Sequence, residues 1–403
     1  MKAAIMGYGT IGSGVYEVLD RNCKIIEKKA GEPIEVKYIL DLREFPGKPV
    51  EKLVIHDIEQ IINDPEIGIV VETMGGTTPA YEFVKNCLLA GKHVVTSNKA
   101  LVAAHGTELI RIAAERNISF LFEASVGGGI PIIRPLVESL GGEEILEISG
   151  ILNGTTNYIL TKMSEEGWSF EEALKHAQEL GYAERNPEAD IEGYDTCRKI
   201  AILTGVTTGK EVNYEEIPTQ GITGITSLDS RYAAHMGAAI KLFGTSINKD
   251  GKLYLEVAPV LVDGKDPLYA VTDVFNGILV VGNMLGASMF YGSGAGKLPT
   301  ASAVVGDMIT AVRSGNDPEE IGWSSEKLEV HPASELSRKY FARFEGSESA
   351  KKEAVAAAFG DVKFVTLEGT DEFAVLTGEM TGKEFDAAAA KVGGLRQKIA
   401  ARL

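Results

Sequence analysis

A glycine-rich turn near the amino terminus constrains the fold of this chain more than any other sequence feature. Residues 7–12 read GYGTIG and lie between a short apolar run, KAAIM, and a helical stretch that begins SGVYEVL. Gly7 permits a tight turn, Gly9 lets the backbone approach a pyrophosphate, and Gly12 lets strand and helix pack closely. The motif predicts a dinucleotide site, with Thr10 and Ile11 beside the phosphates. An ordinary Gly-rich βα turn is the alternative.

Strand-like and helix-like segments alternate through the first third of the chain. Apolar runs occur at residues 36–40, 67–72, 93–97 and 118–123. Helical segments such as AYEFVKNCLLAG separate them. This alternation indicates βαβ units and a parallel sheet. We predict an α/β fold with a Rossmann-type, doubly wound nucleotide-binding domain over residues 1–127, completed by a helix at residues 299–313.

The remaining sequence predicts three further regions. Residues 128–298 mix helical and strand patterns, as an α+β substrate-binding domain would. Residues 314–335 are rich in turn formers and predict a linker. Residues 336–403 follow a β-α-β-β-α order and end in a candidate last strand, which predicts a ferredoxin-like domain.

Charge and cysteine content exclude several classes of function. The 403 residues include 40 Lys and Arg against 57 Asp and Glu, a net charge of −17, which argues against a nucleic-acid partner. The three cysteines lie far apart, so we expect no disulfide framework and a cytoplasmic location. The start lacks the features of a signal peptide, and no apolar run approaches a membrane span, so we expect no membrane partner.

An acidic residue follows the second predicted strand. Asp41 stands where a carboxylate usually binds the ribose hydroxyls of the cofactor, and its charge would repel a 2′-phosphate. Arg43, two residues later, could instead pair with such a phosphate. The pattern favours NAD over NADP. Two solvated loop charges are the alternative.

Two polar stretches follow apolar strands. Thr96 and Lys99 belong to TSNK at the end of a strand, where ligand crevices open in α/β sheets, and both are candidate cofactor contacts. The lysine could donate to a substrate or share a proton, or it could be a surface residue that caps the next helix. Thr155 belongs to NGTTN, which could offer donors to a carboxylate or form a plain helix cap.

A charged stretch precedes an apolar helix. Asp195 and Lys199 are four residues apart, so they share one helix face, and the apolar IAIL that follows suggests partial burial. A buried amine beside a carboxylate suits proton transfer near neutral pH. Glu184 and Asp190 add anions that could hold an ammonium group. Together these residues indicate a zwitterionic substrate such as an amino acid.

Assembled in order, these stretches strongly resemble homoserine dehydrogenases over residues 1–313. The resemblance rests on GYGTIG, VVETMGG, VVTSNKALVA, FEASVGGGIPII, GILNGTTNYIL, GYAERNPEADIEGYDTCRKIAIL and GAGKLPTASAVVGD. It implies reversible NAD- or NADP-dependent reduction of L-aspartate 4-semialdehyde to L-homoserine, and a homodimer built on the 128–298 domain. The alternatives are an amino-acid sensor without turnover and a dehydrogenase of another small substrate.

The resemblance also implies roles for single residues. Lys199 would donate the proton in reduction, Lys99 would lie beside the reacting oxygen, and Asp195 would orient lysine and substrate. Thr155 would lie near the substrate, and the substrate amino group would be contacted by Glu184 and Asp190. Gly181 and Gly296 would approach the cofactor. A monovalent cation, Na⁺ or K⁺, would be held by Glu123 and the carbonyl groups of Val126, Gly128 and Ile130.

The sequence departs from the family pattern at two places. NADP-preferring members carry a V-R-D-like end to the second strand, whereas Leu40 precedes Asp41 here. Many members end in an ACT regulatory domain whose first strand leads into Pro-Gly, which EGSESAKKEA replaces. We therefore predict an ACT-like domain at residues 336–403 with an altered effector turn.

Overall fold

The computed structural model of the protein describes residues 1–318 and 320–403. They group into two units. The first unit comprises residues 1–143, 201–214 and 292–328. The second comprises residues 144–200, 215–291 and 329–403.

The β-strands of the described residues are numbered in chain order. They are β1 (Lys2–Met6), β2 (Glu35–Leu40), β3 (Val54–Ile55), β4 (Ile67–Glu72), β5 (His93–Thr96), β6 (Phe120–Leu121), β7 (Ile145–Ile151), β8 (Ala238–Lys249), β9 (Lys252–Asp263), β10 (Phe275–Gly282), β11 (Gly286–Ser293), β12 (Val330–Pro332), β13 (Lys339–Glu345), β14 (Lys363–Thr366), β15 (Glu372–Leu376) and β16 (Leu395–Arg402).

The α-helices follow the same numbering rule. They are α1 (Thr10–Arg21), α2 (Cys23–Ala30), α3 (Glu59–Ile62), α4 (Ala80–Leu89), α5 (Lys99–Glu115), α6 (Gly154–Glu165), α7 (Phe170–Glu179), α8 (Glu188–Ile191), α9 (Tyr194–Thr208), α10 (Ser227–His235), α11 (Lys297–Ser314), α12 (Glu348–Phe359) and α13 (Gly382–Val392). Within the described ranges, no helix is both long and apolar enough to cross a membrane.

The first unit contains the parallel sheet that the glycine turn predicts. Its strand order is β3-β2-β1-β4-β5-β6, and every neighbouring pair is parallel. This is the order of a Rossmann-type dinucleotide-binding fold. The last predicted strand is shorter than expected, because only Phe120–Leu121 pairs and Glu123 already begins a 3₁₀ turn.

Helix α11 belongs to the first unit although it comes about 180 residues after that unit's sheet ends. It packs against α1 and buries its apolar face on the sheet side. The buried core that it joins includes Ile5, Ile39, Ile69, Val71, Val304 and Met308. The predicted helix at residues 299–313 is thus confirmed, with bounds extended by a few residues.

The second unit is built on one long sheet. Its order is β11-β10-β7-β8-β9-β16-β13-β15-β14, and β12 pairs with β9 beside this path. The β-α-β-β-α-β order predicted for the tail is present from β13 to β16. Strand β16 runs parallel to β9, with Ala400 opposite Val260, and antiparallel to β13. The tail therefore continues the sheet formed by β7 to β11. Its ACT-like identity and the predicted domain limits stay predictions.

Candidate active site

The glycine turn between β1 and α1 has the geometry of a phosphate-binding loop. Gly7 has φ +91°, and a Cβ on Gly12 would lie 2.0 Å from the Gly7 carbonyl oxygen, so only glycine fits both positions. Around Gly9, no described atom lies within 4 Å of the place a Cβ would occupy. Gly9 is the N-cap of α1, whose first-turn amides receive no side-chain cap from the described residues. The loop can therefore accept an anion at the helix start.

Asp41 and Arg43 interact with each other at the end of β2. The Asp41 carboxylate accepts the Tyr8 backbone N–H at 2.7 Å and receives the Arg43 Nε and Nη2 atoms at 2.9 and 2.8 Å. The Arg43 guanidinium holds the pKa of Asp41 well below its usual range, so the carboxyl is ionised. Asp41 and Arg43, which the sequence offered as alternative cofactor contacts, therefore form one ion pair. The Tyr8 N–H of the glycine loop orients its carboxylate.

A buried glutamate at the end of β4 organises the neighbouring loops. The Glu72 carboxylate accepts the Thr96 hydroxyl at 2.6 Å and the Met74 and Gly75 backbone N–H groups at 2.8 and 3.3 Å. Burial raises the pKa of Glu72, although these hydrogen bonds oppose the shift. Our sequence interpretation gave Glu72 no role. The signal was present in VVETMGG, where an acidic residue ends a fully apolar strand.

The polar stretch after β5 caps helix α5. The Asn98 Oδ1 atom accepts the Leu101 N–H at 3.1 Å, and its Nδ2 atom donates to the Gly76 carbonyl at 2.6 Å. Lys99 is the first residue of α5 and is half-buried. Asn98 therefore performs the capping that the alternative interpretation gave to Lys99. Thr96 donates its hydroxyl proton to Glu72, and its contact with a cofactor stays a prediction.

The spacing of Asp195 and Lys199 produces the predicted ion pair in the second unit. The Lys199 ammonium lies 2.7 Å from Asp195 Oδ2 and donates to the Leu152 carbonyl at 2.6 Å. Asp195 is 2% exposed and Lys199 8% exposed. Residues four apart in a helix lie on the same face, which brings the two groups together. Both side chains are buried by the apolar residues around α9.

Asn153 connects this ion pair to the start of helix α6. Its Oδ1 atom accepts the Thr156 N–H at 2.9 Å, while its Nδ2 atom donates to Asp190 Oδ1 at 2.7 Å and to Asp195 Oδ2 at 2.8 Å. The NGTTN stretch is therefore a helix cap and a bridge between two carboxylates at the same time. The sequence directed attention to Thr155, whose hydroxyl donates to the Tyr182 carbonyl at 2.6 Å.

Three further residues have predicted substrate or cofactor roles. Glu184 is exposed. Gly181 follows the end of α7 with φ +75°. Gly296 is the N-cap of α11 in the first unit, with φ +114°. The predicted substrate role of Glu184 and the predicted cofactor roles of Gly181 and Gly296 stay predictions.

Glu123 binds the backbone of the segment that follows it. Its carboxylate accepts the N–H groups of Ile132, Ile133 and Arg134 at 2.6–2.8 Å. These three bonds leave one of about four lone-pair sites for a cation. Among residues 1–318 and 320–403, no hydrogen bond ends on the carbonyl oxygens of Val126, Gly128 or Ile130. Carboxylate and carbonyl oxygens are the ligand types that hard cations prefer.

Asp307 of α11 contacts both ends of the same segment, at Glu123 and at Arg134. It accepts the Glu123 backbone N–H at 2.8 Å and pairs with the Arg134 guanidinium at 2.5 Å. Burial, together with the negative charge of Glu123, raises the pKa of Asp307 to about 7. Our sequence interpretation missed Asp307, because its partners lie more than 170 residues earlier in the chain.

Two family models match the chain. "Homoserine dehydrogenase, NAD binding domain" matches residues 7–123 and "Homoserine dehydrogenase" matches residues 131–309. The homoserine dehydrogenase of Synechocystis is 42% identical over 361 residues, which cover 85% of this chain and 82% of that protein.

Solved structures give the same result. The homoserine dehydrogenase of Thiobacillus denitrificans is 33% identical, with a TM-score of 0.91 over 100% of this chain and 98% of that one. A hyperthermophilic archaeal homoserine dehydrogenase in complex with NADPH is 31% identical, with a TM-score of 0.67 over 77% of this chain and 97% of that one.

Proposed function

The chain belongs to the homoserine dehydrogenase family, and on this premise we propose how its residues carry out the reaction. The protein is an oxidoreductase with a nucleotide-binding domain. We infer that it reduces L-aspartate 4-semialdehyde reversibly to L-homoserine. The observation that carries this proposal is the buried Asp195–Lys199 pair, which places an amine between a carboxylate and a carbonyl group.

Lys199 is the proposed proton donor. A bound nicotinamide nucleotide supplies the hydride in reduction and accepts it in oxidation. In reduction, the Lys199 ammonium transfers a proton to the aldehyde oxygen as negative charge develops there. In oxidation, the neutral amine takes the proton of the C4 hydroxyl group. Asp195 and the Leu152 carbonyl fix the direction of the amine throughout.

Lys99 is proposed to stabilise the same developing charge. Its place at the first turn of α5 is fixed by the Asn98 cap. A second ammonium group near a forming alkoxide stabilises it electrostatically without transferring a proton itself.

The carboxylates of Asp190 and Glu184 are proposed to bind the substrate ammonium group. Asn153 orients Asp190 through a 2.7 Å hydrogen bond, which supports this role. Glu184 is exposed and would join the group when substrate binds. Thr155 lies in the same α6 turn and is proposed to line the substrate site.

Asp41 is proposed to favour NAD. Its ionised carboxylate is oriented by the glycine loop, at the position where a carboxylate accepts ribose hydroxyl groups. NADP would require Arg43 to leave Asp41 and pair with the 2′-phosphate. The archaeal relative in complex with NADPH supports a nicotinamide nucleotide of either kind.

Na⁺ or K⁺ is proposed to bind to Glu123 and to the carbonyl groups of Val126, Gly128 and Ile130. The available carbonyl oxygens support this assignment. The cation would order the turn that follows β6 in the first unit. It has no proposed role in moving protons or hydride.

A second copy of the chain is the proposed partner, in a reducing cytoplasm. Strand β11 is an edge of the long sheet and exposes Met289 and Tyr291, and Tyr291 stacks on half-exposed Phe275 at 5.4 Å. Apolar side chains along an open edge favour self-association. A monomeric mass by light scattering would contradict this proposal.

Initial-rate kinetics with both cofactors test the function. We expect homoserine-dependent reduction of NAD, faster than that of NADP, in buffer containing Na⁺ or K⁺. A choline buffer of equal ionic strength is the control for the cation. Absence of turnover with both cofactors would refute the proposal, and turnover with a different small hydroxy amino acid would redirect it.

A further inference from the structure

Trp323 lies in a turn-rich segment that the sequence predicts to be a linker, yet it is 6% exposed. Its indole ring lies against two helix glycines. A Cβ on Gly205 of α9 would lie 2.5 Å from ring atom Cε2, and a Cβ on Gly106 of α5 would lie 3.1 Å from Cζ3. Phe122 packs beside the ring with a centroid distance of 6.0 Å. The ring therefore leaves no room for a side chain at Gly205, and it is tightly packed against Gly106.

The indole is fixed by hydrogen bonds to the residues that follow α9. Its Nε1 atom donates to the Lys210 carbonyl at 2.9 Å. The neighbouring Ser324 N–H donates to the Gly209 carbonyl at 2.9 Å, and the Glu211 N–H donates to the Glu326 carbonyl at 2.7 Å. The segment that carries Trp323 is thus paired to the chain leaving α9, so the ring has little freedom to move away.

Each of the two helices carries one of the lysines with a proposed role. Lys99 begins α5, seven residues before Gly106, which is about 10 Å along the axis at 1.5 Å per residue. Lys199 precedes Gly205 by six residues in α9, which is about 9 Å. Over two turns an α-helix bends little, so fixing a helix at its glycine also fixes the axial position of its lysine.

We propose that Trp323 is a positioning residue for the hydride-transfer reaction, which sets the approach of α5 to the carboxyl half of α9 and thereby the positions of Lys99 and Lys199. Trp323 contacts neither substrate nor cofactor in this proposal. The inference rests on the proposed function, because the two lysines take their roles from it. Displacement of a reacting group by about 1 Å can lower a rate about 100-fold, so a small change in helix spacing is sufficient.

Substitutions of graded size test the proposal. We expect Trp323→Phe to lower kcat about tenfold and Trp323→Leu to lower it further, with KM for homoserine and NAD changed less than threefold. The solvent deuterium isotope effect on kcat should increase, because misplaced amines slow the proton transfer. Gly205→Ala should act in the same direction, since its methyl group displaces the ring.

The control is Trp168→Phe, which removes the other tryptophan. Trp168 packs edge-on against His176 at 5.0 Å in the second unit. That variant should keep the wild-type kcat. It leaves Trp323 as the single tryptophan, whose emission follows the folded fraction in a urea titration. Rates of the Trp323 variants are divided by the concentration of NADH-binding sites, so unfolded protein does not count.

The inference would be overturned if Trp323→Phe kept the wild-type kcat per NADH-binding site and the wild-type solvent isotope effect. The same result in Gly205→Ala would overturn it if the Phe variant did not fold. Failure of the proposed function is seen separately, as absence of turnover in the unsubstituted protein or as wild-type turnover in Lys199→Ala.

Discussion

Replacing Glu72 with alanine removes the group that holds three elements at the edge of the first sheet. The Thr96 hydroxyl and the Met74 N–H lose acceptors at 2.6 and 2.8 Å, and Thr96 is fully buried. An unsatisfied buried donor costs about 1–3 kcal/mol. The buried Thr96 donor, together with the partly buried Met74 N–H that water can reach, predicts a loss of about 2 kcal/mol in the free energy of unfolding.

Glu72→Gln is the matched control, because it keeps the shape and an acceptor oxygen but removes the charge. Burial raises the pKa of Glu72, so the folded state holds its proton more tightly than the unfolded state. Wild-type stability should therefore fall as pH rises above the unfolded pKa, near 4.5. The Gln variant lacks this dependence and should gain stability relative to wild type between pH 4 and pH 7.

Urea unfolding at pH 4, 5.5 and 7 measures both effects, and KM for NAD reports on the loop after β4. We expect the alanine variant to raise this KM, because the loop and the Asn98 cap of α5 lose a common support. The reasoning would be refuted if the free energy of unfolding of Glu72→Ala at pH 7 lay within about 1 kcal/mol of the wild-type value. A constant difference between the Gln variant and wild type at all three pH values would refute the ionisation argument.

Three other substitutions test the site. Lys199→Ala should lower kcat at least 100-fold, as loss of a positioned acid–base group does, and near-normal turnover would remove its role. Asp41→Ala should raise KM for NAD and improve the NADP/NAD ratio of kcat/KM, since Arg43 is released for a phosphate; an unchanged ratio would contradict this. Gly12→Ala should abolish cofactor binding, because its methyl group meets the Gly7 carbonyl at 2.0 Å; normal NADH binding by fluorescence would disagree.

Local spacing allowed part of this structure to be predicted. The glycine positions in residues 7–12 and the alternation of segments predicted the parallel sheet. The four-residue interval predicted the Asp195–Lys199 pair. Both are short-range patterns, in which the geometry of one strand-turn-helix unit or one helix determines the contact.

Contacts between distant segments could not be predicted in the same way. Glu72 takes partners from its own loop and from the stretch that ends β5, and Asp307 contacts a turn far earlier in the chain. Asn153 was visible as a helix cap, but its bridge to Asp190 and Asp195 depends on how α6, α8 and α9 pack. Trp323 lies among turn formers without periodicity, so its burial left no sequence pattern.

The placement of β16 beside β9 has a kinetic consequence. Strands β8 and β9 meet across a tight turn at Asp250 and Gly251, a local contact that forms quickly. The pairing of Val260 with Ala400 instead closes a loop over a third of the chain. Long-range strand pairing is slow, so β9 keeps an open flank early in folding. This unit should therefore be most prone to aggregation before β16 docks.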